Sequence, residues 1–211
     1  MSEPMVIAHH LIWTGYGWWL PNDPRGSMSH TIACDVIAEL GDLHYGRKTV
    51  QPASPVIREF YQRARDVLKH PLQQFDAGDL ARIAEAFVET ISVRRYTCYA
   101  CAIMRDHVHV LIRKHRDRPA EMIHHLQEAS RLRLQRQVPR FAGHPVWGGP
   151  GWDVFQHDPS DVRRTIAYIE GNPAKLRLAP QRWAFVKPYD DWPFHVGHSP
   201  NSPYVRRTRR D

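Results

Sequence analysis

The spacing of apolar residues predicts four short strands along the chain. The run Met5–Trp13 is rich in aliphatic residues and short enough for a buried strand. Two β-prone runs, Tyr96–Met104 and His107–Lys114, are separated by only two residues and predict a hairpin, although the connection lacks the preferred glycine. The glycine-rich segment at 143–156 indicates a loop that leads into a fourth, short strand.

Apolar residues at helical spacing predict four helices. The first has its stripe between Ile57 and Leu68, with Ser54 and Pro55 as cap and first turn. The second begins at Asp79. The third covers about 119–138, and its expected inward residues are Met122, Leu126, Ala129 and Leu132. The fourth opens with Asp158 as N-cap and Pro159 as its first residue, and Gly171 and Pro173 end it.

The order of these elements indicates an α+β fold with a mainly antiparallel sheet. We place one folded domain at residues 1–178, because the chain beyond it is proline-rich and irregular. Residues 179–211 form a C-terminal extension with the basic tail YVRRTRRD at 204–211. This tail is either disordered or an arm that grips phosphates.

Composition narrows the classes of partner and compartment. The 211 residues carry a net charge of +7, and the sequence pI is near 9.6, which favours a polyanionic partner such as nucleic acid. No apolar run approaches the ~18 residues of a membrane span, so we expect no membrane association. The N-terminus lacks a secretion signal, and three cysteines form no disulfide framework. We therefore expect a cytoplasmic protein.

A pair of histidines on the second hairpin strand is the first candidate for chemistry. His107 and His109 are two residues apart, so their side chains leave the same face of the strand, while Val108 and Val110 take the other. Neighbouring imidazoles can share a metal ion. With 14 histidines in the chain, about one His-x-His is expected by chance, so the pair gains weight only from its place in a strong strand.

Tyr168 is the second candidate, on the polar side of the last helix. A half-exposed tyrosine that covers the edge of the core is the structural alternative. Asn172 follows one turn later on the same face, where its amide oxygen would complete a His-His-Asn metal site. Pro173 biases Asn172 away from helical geometry and leaves its direction open.

Four segments resemble those of one known family, in sequence order. MRDHVHVLI (104–112) is similar to the HUH motif of single-tyrosine transposases, and AYIEGNPAKLRL (167–178) resembles the tyrosine helix of their REP-associated branch. HHLIWTGYGWWLPNDPRGS (9–27) resembles their first strand and loop, and LQEASRLRLQR (126–136) the helix after the HUH strand. The resemblance covers most of the chain, from about Ala8 to Leu178.

The resemblance implies a ferredoxin-like sheet whose helices pack on one face, with the HUH histidines on the other and the tyrosine helix nearby. It implies that His107, His109 and Asn172 hold Mg²⁺ or Mn²⁺ and that Tyr168 is the nucleophile. The expected function is metal-dependent cutting and joining of single-stranded DNA at hairpin-associated sites, through a 5′-phosphotyrosine intermediate. The alternatives are a domesticated, non-catalytic module that binds hairpin DNA and an unrelated metal hydrolase. Relatives include both homodimers and monomers.

Further residues are candidates for contacts with DNA. The candidate phosphate contacts are Arg131, Arg163, Arg164 and Lys175, although a solvated helix face explains each equally well. The candidate stacking residues are Trp18, Trp19, Trp147 and Trp152, each of which is otherwise a core or loop anchor. Either His9 or His10 faces the side of the histidine pair, as a structural or functional group. Cys98 and Cys101 are expected to be ordinary buried residues on opposite faces of their strand.

Overall fold

Residues 5–46 and 48–194 are described in the structure, a computed structural model of the chain. The strands are β1 (Ala8–Thr14), β2 (Cys98–Ile103), β3 (His107–Arg113) and β4 (Trp152–Gln156). The helices are α1 (Asp35–Ala38), α2 (Ser54–Val67), α3 (Ala77–Arg94), α4 (Pro119–Gln137), α5 (Pro159–Glu170) and α6 (Asn172–Lys175), with a 3-10 turn at Pro139–Phe141. The basic tail at 204–211 lies outside the described residues.

The four strands form one antiparallel sheet in the order β2-β3-β1-β4. With α3 after β1 and α4 after β3, this order is that of a ferredoxin-like fold. The predicted fold class is confirmed, including the hairpin of β2 and β3. The two central strands, β1 and β3, are the ones that can support a site in the middle of a face, because each has a neighbour on both sides.

One face of the sheet carries the main hydrophobic core. Leu11 and Trp13 of β1 and Val110 of β3 pack against Phe87 of α3 and Leu126 of α4, and all five are fully buried. Side chains of this size each contribute roughly 1.5–3 kcal/mol when removed from water. Because strand residues alternate between faces, burial of these residues sends their neighbours to the opposite face.

Local chemistry shifts several helix boundaries and faces from those predicted. α2 is capped by Ala53, so that Ser54 is already helical. α3 begins before Asp79, because Asp76 and Asp79 form a reciprocal capping box. In α4 the predicted inward position of Leu132 is wrong, since that residue is 44% exposed. Ser130 is buried in its place, which its hydroxyl permits by donating to the Leu126 carbonyl at 2.7 Å.

Both cysteines of β2 lie on the same face, contrary to the prediction. Cys98 and Cys101 belong to the core beneath α3 and α4, although three positions apart on a regular strand would place them on opposite faces. A register shift between Cys98 and Ala100 inserts an extra residue into the strand and reverses the alternation. Their burial was predicted correctly, and both thiols are free.

The other face of the sheet supports α5. Val162 and Ile169 of α5 pack on Ala100, Ala102 and Leu111, and the two alanines let the helix approach the strands closely. As predicted, α5 begins at Pro159 and is capped by a carboxylate at position 158 that accepts from two backbone amides. After Gly171 the chain continues as helix α6, with Pro173 in the first turn. Proline is tolerated at this position, because the backbone amide that it lacks would have no partner there.

The described part of the C-terminal extension packs against the domain. Phe185 joins the core, and Tyr189 and Phe194 pack on the cluster beneath α5. Val186 forms a parallel bridge to Cys98 and so covers part of the free edge of β2. The division of the chain at residue 178 stays a prediction. No helix within 5–46 and 48–194 is both long and apolar enough to span a membrane.

Candidate functional site

Three histidines meet on the α5 face of the two central strands. His107 and His109 of β3 lie opposite Thr14 and Ile12 of β1, and His10 of β1 lies diagonally from His109. The ring centroids of His107 and His109 are 4.9 Å apart, and those of His10 and His109 are 5.0 Å apart. Of the two adjacent histidines in β1, His10 is therefore the one that faces the pair.

Each ring of the histidine pair is held at Nδ1 by a polar partner. His107 Nδ1 lies 2.6 Å from Asp106 Oδ1, and His109 Nδ1 lies 2.9 Å from His10 Nε2. Burial lowers the pKa of His10 to about 4. Burial also places the pKa of His109 well below its ordinary value, and the charges of His107, His10 and Lys175 lower it further. His10 and His109 are therefore neutral at pH 7, and each ring has one nitrogen with a lone pair.

Tyr168 projects from α5 towards these rings. Its ring centroid is 5.6 Å from that of His109 and 6.0 Å from that of His10, in edge-on contacts. The residue is 44% exposed to solvent. The ammonium of Lys175 lies 4.2 Å from the centre of the tyrosine ring, at cation–π distance.

Asn172 is buried at the junction of α5 and α6, four residues after Tyr168. Its Oδ1 accepts from Lys175 Nζ at 2.9 Å. Its Nδ2 is buried and has no hydrogen-bond partner among the residues that the structure describes. Such a donor is suited to an acceptor such as a phosphate oxygen, whereas coordination of a metal ion would use Oδ1.

These residues fit a divalent cation that also takes oxygen ligands from its substrate. Metal-bound histidines usually donate their second ring nitrogen to a carboxylate or another acceptor, as the partners of His107 and His109 allow. Within the described ranges, no group of three His, Cys, Asp or Glu side chains could hold a metal ion alone. The fit therefore requires Oδ1 of Asn172, which also accepts from Lys175, together with oxygens of a bound phosphate or water.

The candidate site opens into a cavity of about 720 Å³. The predicted site residues that line it are His107, His109, Tyr168, Asn172, Arg164 and Lys175. The other two predicted DNA contacts lie elsewhere. Arg131 is on α4, on the far side of the sheet, and pairs with Glu128 at 2.6 Å. Arg163 is on α5 and pairs with Asp191 of the extension.

The four tryptophans divide in the same way. Trp19 and Trp152 line the cavity. Trp147 is a core residue whose indole donates to the Gln127 carbonyl at 3.0 Å, and the indole of Trp18 donates to the Gln73 carbonyl at 2.6 Å. Sequence reasoning had no means of separating these pairs, because all four lie in segments without regular periodicity.

Two groups beside the site were missed by sequence reasoning. Asp106, which contacts Nδ1 of His107, lies between the two predicted strands, and a carboxylate directly before a candidate ligand is a signal that the sequence contains. Arg25 lines the cavity from the loop after β1, held by Asp23 and Tyr61. The Asp-x-Arg spacing is visible in the sequence, but its link to Tyr61 of α2 is a long-range contact.

An antiparallel ferredoxin-like sheet with two strand histidines beside a helical tyrosine is the arrangement of the HUH class of DNA-processing proteins. A family model described as IS200-like transposase matches residues 67–172, about half of the chain, including the histidine pair, Tyr168 and Asn172. The chain belongs to the family of IS200-like transposases. It is thus a transposase, a protein that cuts and rejoins DNA.

Two solved structures are similar to this chain. A REP-associated tyrosine transposase, determined bound to a REP hairpin, is 12% identical with a TM-score of 0.46, covering 92% of this chain and 79% of its own. A crystal structure described as a transposase from Deinococcus radiodurans R1 is 15% identical with a TM-score of 0.35, covering 85% of this chain and 97% of its own. No curated protein matches the sequence.

Proposed function

We propose that this chain cuts and rejoins single-stranded DNA through a covalent bond between Tyr168 and a 5′-phosphate. The observation that carries the proposal is the meeting of Tyr168 with the histidine pair in one cavity. These residues lie about 60 positions apart in the chain, on a strand and a helix, and the fold brings their side chains together at one cavity wall. The family to which the chain belongs supports the same assignment.

The first step of the proposed reaction is a transesterification. The phenolic oxygen of Tyr168 forms a bond to the scissile phosphorus and loses its proton, while the bond from phosphorus to the 3′ oxygen breaks and that oxygen gains a proton. One DNA end is then linked to the protein by a 5′-phosphotyrosine, and the other carries a free 3′-OH. The link preserves the phosphodiester energy, so a 3′-OH can reverse the step and join strands without ATP.

The residues of the chain divide the remaining work. Nε2 of His107, Nε2 of His109 and the amide of Asn172 would hold Mg²⁺ or Mn²⁺. When bound, the metal ion polarises and orients the phosphate. Lys175 and Arg164 lie at the cavity wall, where they would bind neighbouring phosphates and release counterions.

We propose a single-stranded substrate at hairpin-associated sites, because a free strand can bend into a cavity between α5 and the sheet. Tyr168 contacts the histidines of its own chain, and we therefore propose that one chain holds a complete site. Pairing of two chains is not needed for the first cleavage step.

The test is a denaturing gel of the protein incubated with labelled hairpin oligonucleotides and Mg²⁺ or Mn²⁺. We expect a band of protein joined to DNA, lost in Tyr168→Phe and retained in Tyr45→Phe, which removes an exposed hydroxyl elsewhere. Tight binding without an adduct under either metal would contradict the proposal and favour a non-catalytic hairpin-binding module. Cleavage without an adduct that survives Tyr168→Phe would favour a metal hydrolase.

A further inference from the structure

The loop after β1 forms one wall of the cavity and is built around a fully buried carboxylate, that of Asp23. Both oxygens of Asp23 are satisfied: Oδ1 accepts from the backbone amide and Nε of Arg25, each at 2.9 Å. Oδ2 accepts from Arg25 Nη2 at 2.7 Å and from the Tyr61 hydroxyl. Trp19 adds its backbone amide, which donates to the Tyr61 hydroxyl at 3.0 Å.

This network leaves one edge of the Arg25 guanidinium free. Nε is engaged by Asp23, and Nη2 by both Asp23 and the Tyr61 hydroxyl, the latter at 2.7 Å. One face of the group stacks on Trp19, with Cζ 3.7 Å from the ring centre. Nη1, with its two N–H donors, has no hydrogen-bond partner within 5–46 and 48–194. Arg25 lines the same cavity as Tyr168 and the histidine pair.

The free edge is suited to a phosphate oxygen and unsuited to reading a base. Arginine recognises guanine with two parallel N–H groups on different nitrogens, and in Arg25 only Nη1 remains. Two donors on one nitrogen can still bind the oxygens of a phosphodiester in charge-assisted hydrogen bonds. Because Asp23 and Tyr61 fix the guanidinium beforehand, little side-chain entropy is lost when the phosphate binds.

Ring contacts give the place of Arg25 relative to the reacting groups. The ring of Trp19 contacts that of His107, with centroids 6.0 Å apart. The ring of Tyr168 contacts those of His109 and His10 instead. The histidine pair therefore separates Tyr168 from the Trp19–Arg25 wall. In an in-line displacement, the leaving 3′ oxygen departs on the side away from the nucleophile. In a strand cut by Tyr168, the segment that departs with the 3′ oxygen would therefore lie on the side of Arg25.

We propose that Arg25 binds the phosphodiester adjacent to the scissile phosphate on its 5′ side. This contact keeps the leaving strand, with its new 3′-OH, in the cavity after cleavage, ready for rejoining. The inference rests on the proposed function of Tyr168. It concerns a loop outside the residues 67–172 that match the family model. Arg25 acts here as a positioning residue, since the bond changes occur at the neighbouring phosphorus.

The contact is tested by binding in a Tyr168→Phe background, where no bond is cut. Single-stranded oligonucleotides carry one neutral methylphosphonate at each linkage in turn, and affinity is measured by fluorescence anisotropy. Besides the linkages that Lys175 and Arg164 would bind, we expect one linkage that depends on Arg25 and whose neutralisation weakens binding about tenfold, the effect of losing one charge-assisted contact. Arg25→Gln should weaken the natural strand by the same factor and abolish sensitivity at that linkage alone.

Controls separate this contact from folding and from general charge. Arg58→Gln removes an exposed cation on α2 outside the cavity and should leave the linkage sensitivity intact. The double variant Asp23→Asn, Arg25→Gln avoids an unpaired buried carboxylate and should reproduce the result, and thermal melting of each variant checks that the fold is retained. If every sensitive linkage remains equally sensitive in the Arg25 variants, or if no linkage is sensitive, the inference is overturned.

The parent protein supplies the functional half of the test. After adduct formation, the 5′ fragment ending in 3′-OH should dissociate about tenfold faster from Arg25→Gln than from the parent, and rejoining should fall accordingly. The linkage that depends on Arg25 should be the one directly 5′ of the mapped cut. Equal release rates contradict the proposed role of Arg25 while leaving Tyr168 chemistry standing. Failure of the parent to form any adduct contradicts the proposed function instead.

Discussion

Nε2 of His10 lies 2.9 Å from Nδ1 of His109, so that a residue of the first strand holds a member of the histidine pair in place. Burial keeps His10 neutral by lowering its pKa to about 4. In the tautomer that binds a metal ion through Nε2, His109 carries its proton on Nδ1 and donates it to the neutral Nε2 of His10. His10 thus has the same relation to His109 that Asp106 has to His107.

Removal of this partner should weaken the metal site. We expect His10→Ala to lower Mn²⁺ affinity 10- to 100-fold, roughly the usual cost of losing a partner behind a ligand. His10→Gln, whose amide oxygen can accept from His109, should recover part of the loss. Calorimetric titration with Mn²⁺ measures both, with His30→Gln as a control on an imidazole outside the cavity. An unchanged affinity in His10→Ala would show that His109 needs no such support.

Lys175 should contribute charge to DNA binding. Its ammonium lies at the cavity wall between Asn172 and Tyr168. We expect Lys175→Met to weaken binding of single-stranded DNA of any sequence and to reduce the slope of log affinity against log salt by about 0.7. Binding isotherms at several salt concentrations give this slope. An equal change in Lys187→Met, at an exposed residue of the extension, would mean that the effect comes from net charge alone and not from a contact in the cavity.

The cap of α5 should stabilise the helix that bears Tyr168. Asp158 Oδ1 accepts from the backbone amides of Ser160 and Asp161 at 2.7 and 2.9 Å. We expect Asp158→Ala to lower the free energy of unfolding by about 1 kcal/mol, and Asp158→Asn, which retains the acceptor, by less. Urea denaturation at pH 7 measures the difference. Equal losses in the two variants would mean that the charge, rather than the cap, is responsible.

Protonation of buried His144 should destabilise the fold at low pH. Burial lowers its pKa below the ordinary 6.5, the backbone contact to Pro71 partly opposes this, and His70 lowers it further. The unfolded chain therefore binds a proton at this histidine before the folded chain does. Its contribution to stability is complete above pH 6.5 and is lost as the pH falls through the folded pKa.

The variant His144→Gln keeps a donor for the Pro71 carbonyl, which His144 Nε2 contacts at 3.0 Å, and removes the titrating group. We expect its free energy of unfolding to fall less steeply between pH 6.5 and 5 than that of the parent. Urea denaturation across this range gives the slopes, with exposed His124→Gln as the control. Parallel curves for the parent and His144→Gln would refute the assignment.

Features governed by neighbouring residues were predictable from the sequence. The hairpin of β2 and β3 followed from alternation of apolar residues, and the start of α5 from Asp158 and Pro159. The face of the histidine pair followed from strand geometry. The fold class needed one more step, since the resemblance of four segments supplied the ferredoxin-like order of strands.

Features that depend on distant contacts were not predictable. The bulge in β2 is set by pairing with β3, and it alone brings Cys98 and Cys101 to one face. The choice of His10 over His9 depends on the register of β1 against β3. Arg25 gains its role only when Tyr61, 36 residues further along the chain, closes the network around Asp23.

The identity of the residue that becomes joined to DNA tests the central claim most directly. The protein is incubated with a hairpin oligonucleotide and Mn²⁺, the adduct is digested with protease and nuclease, and the modified peptide is sequenced by mass spectrometry. We predict a nucleotide attached through its 5′-phosphate to the hydroxyl of Tyr168, with the released strand ending in 3′-OH. A modification on any other residue, or a 3′-phosphate linkage at Tyr168, would contradict the account.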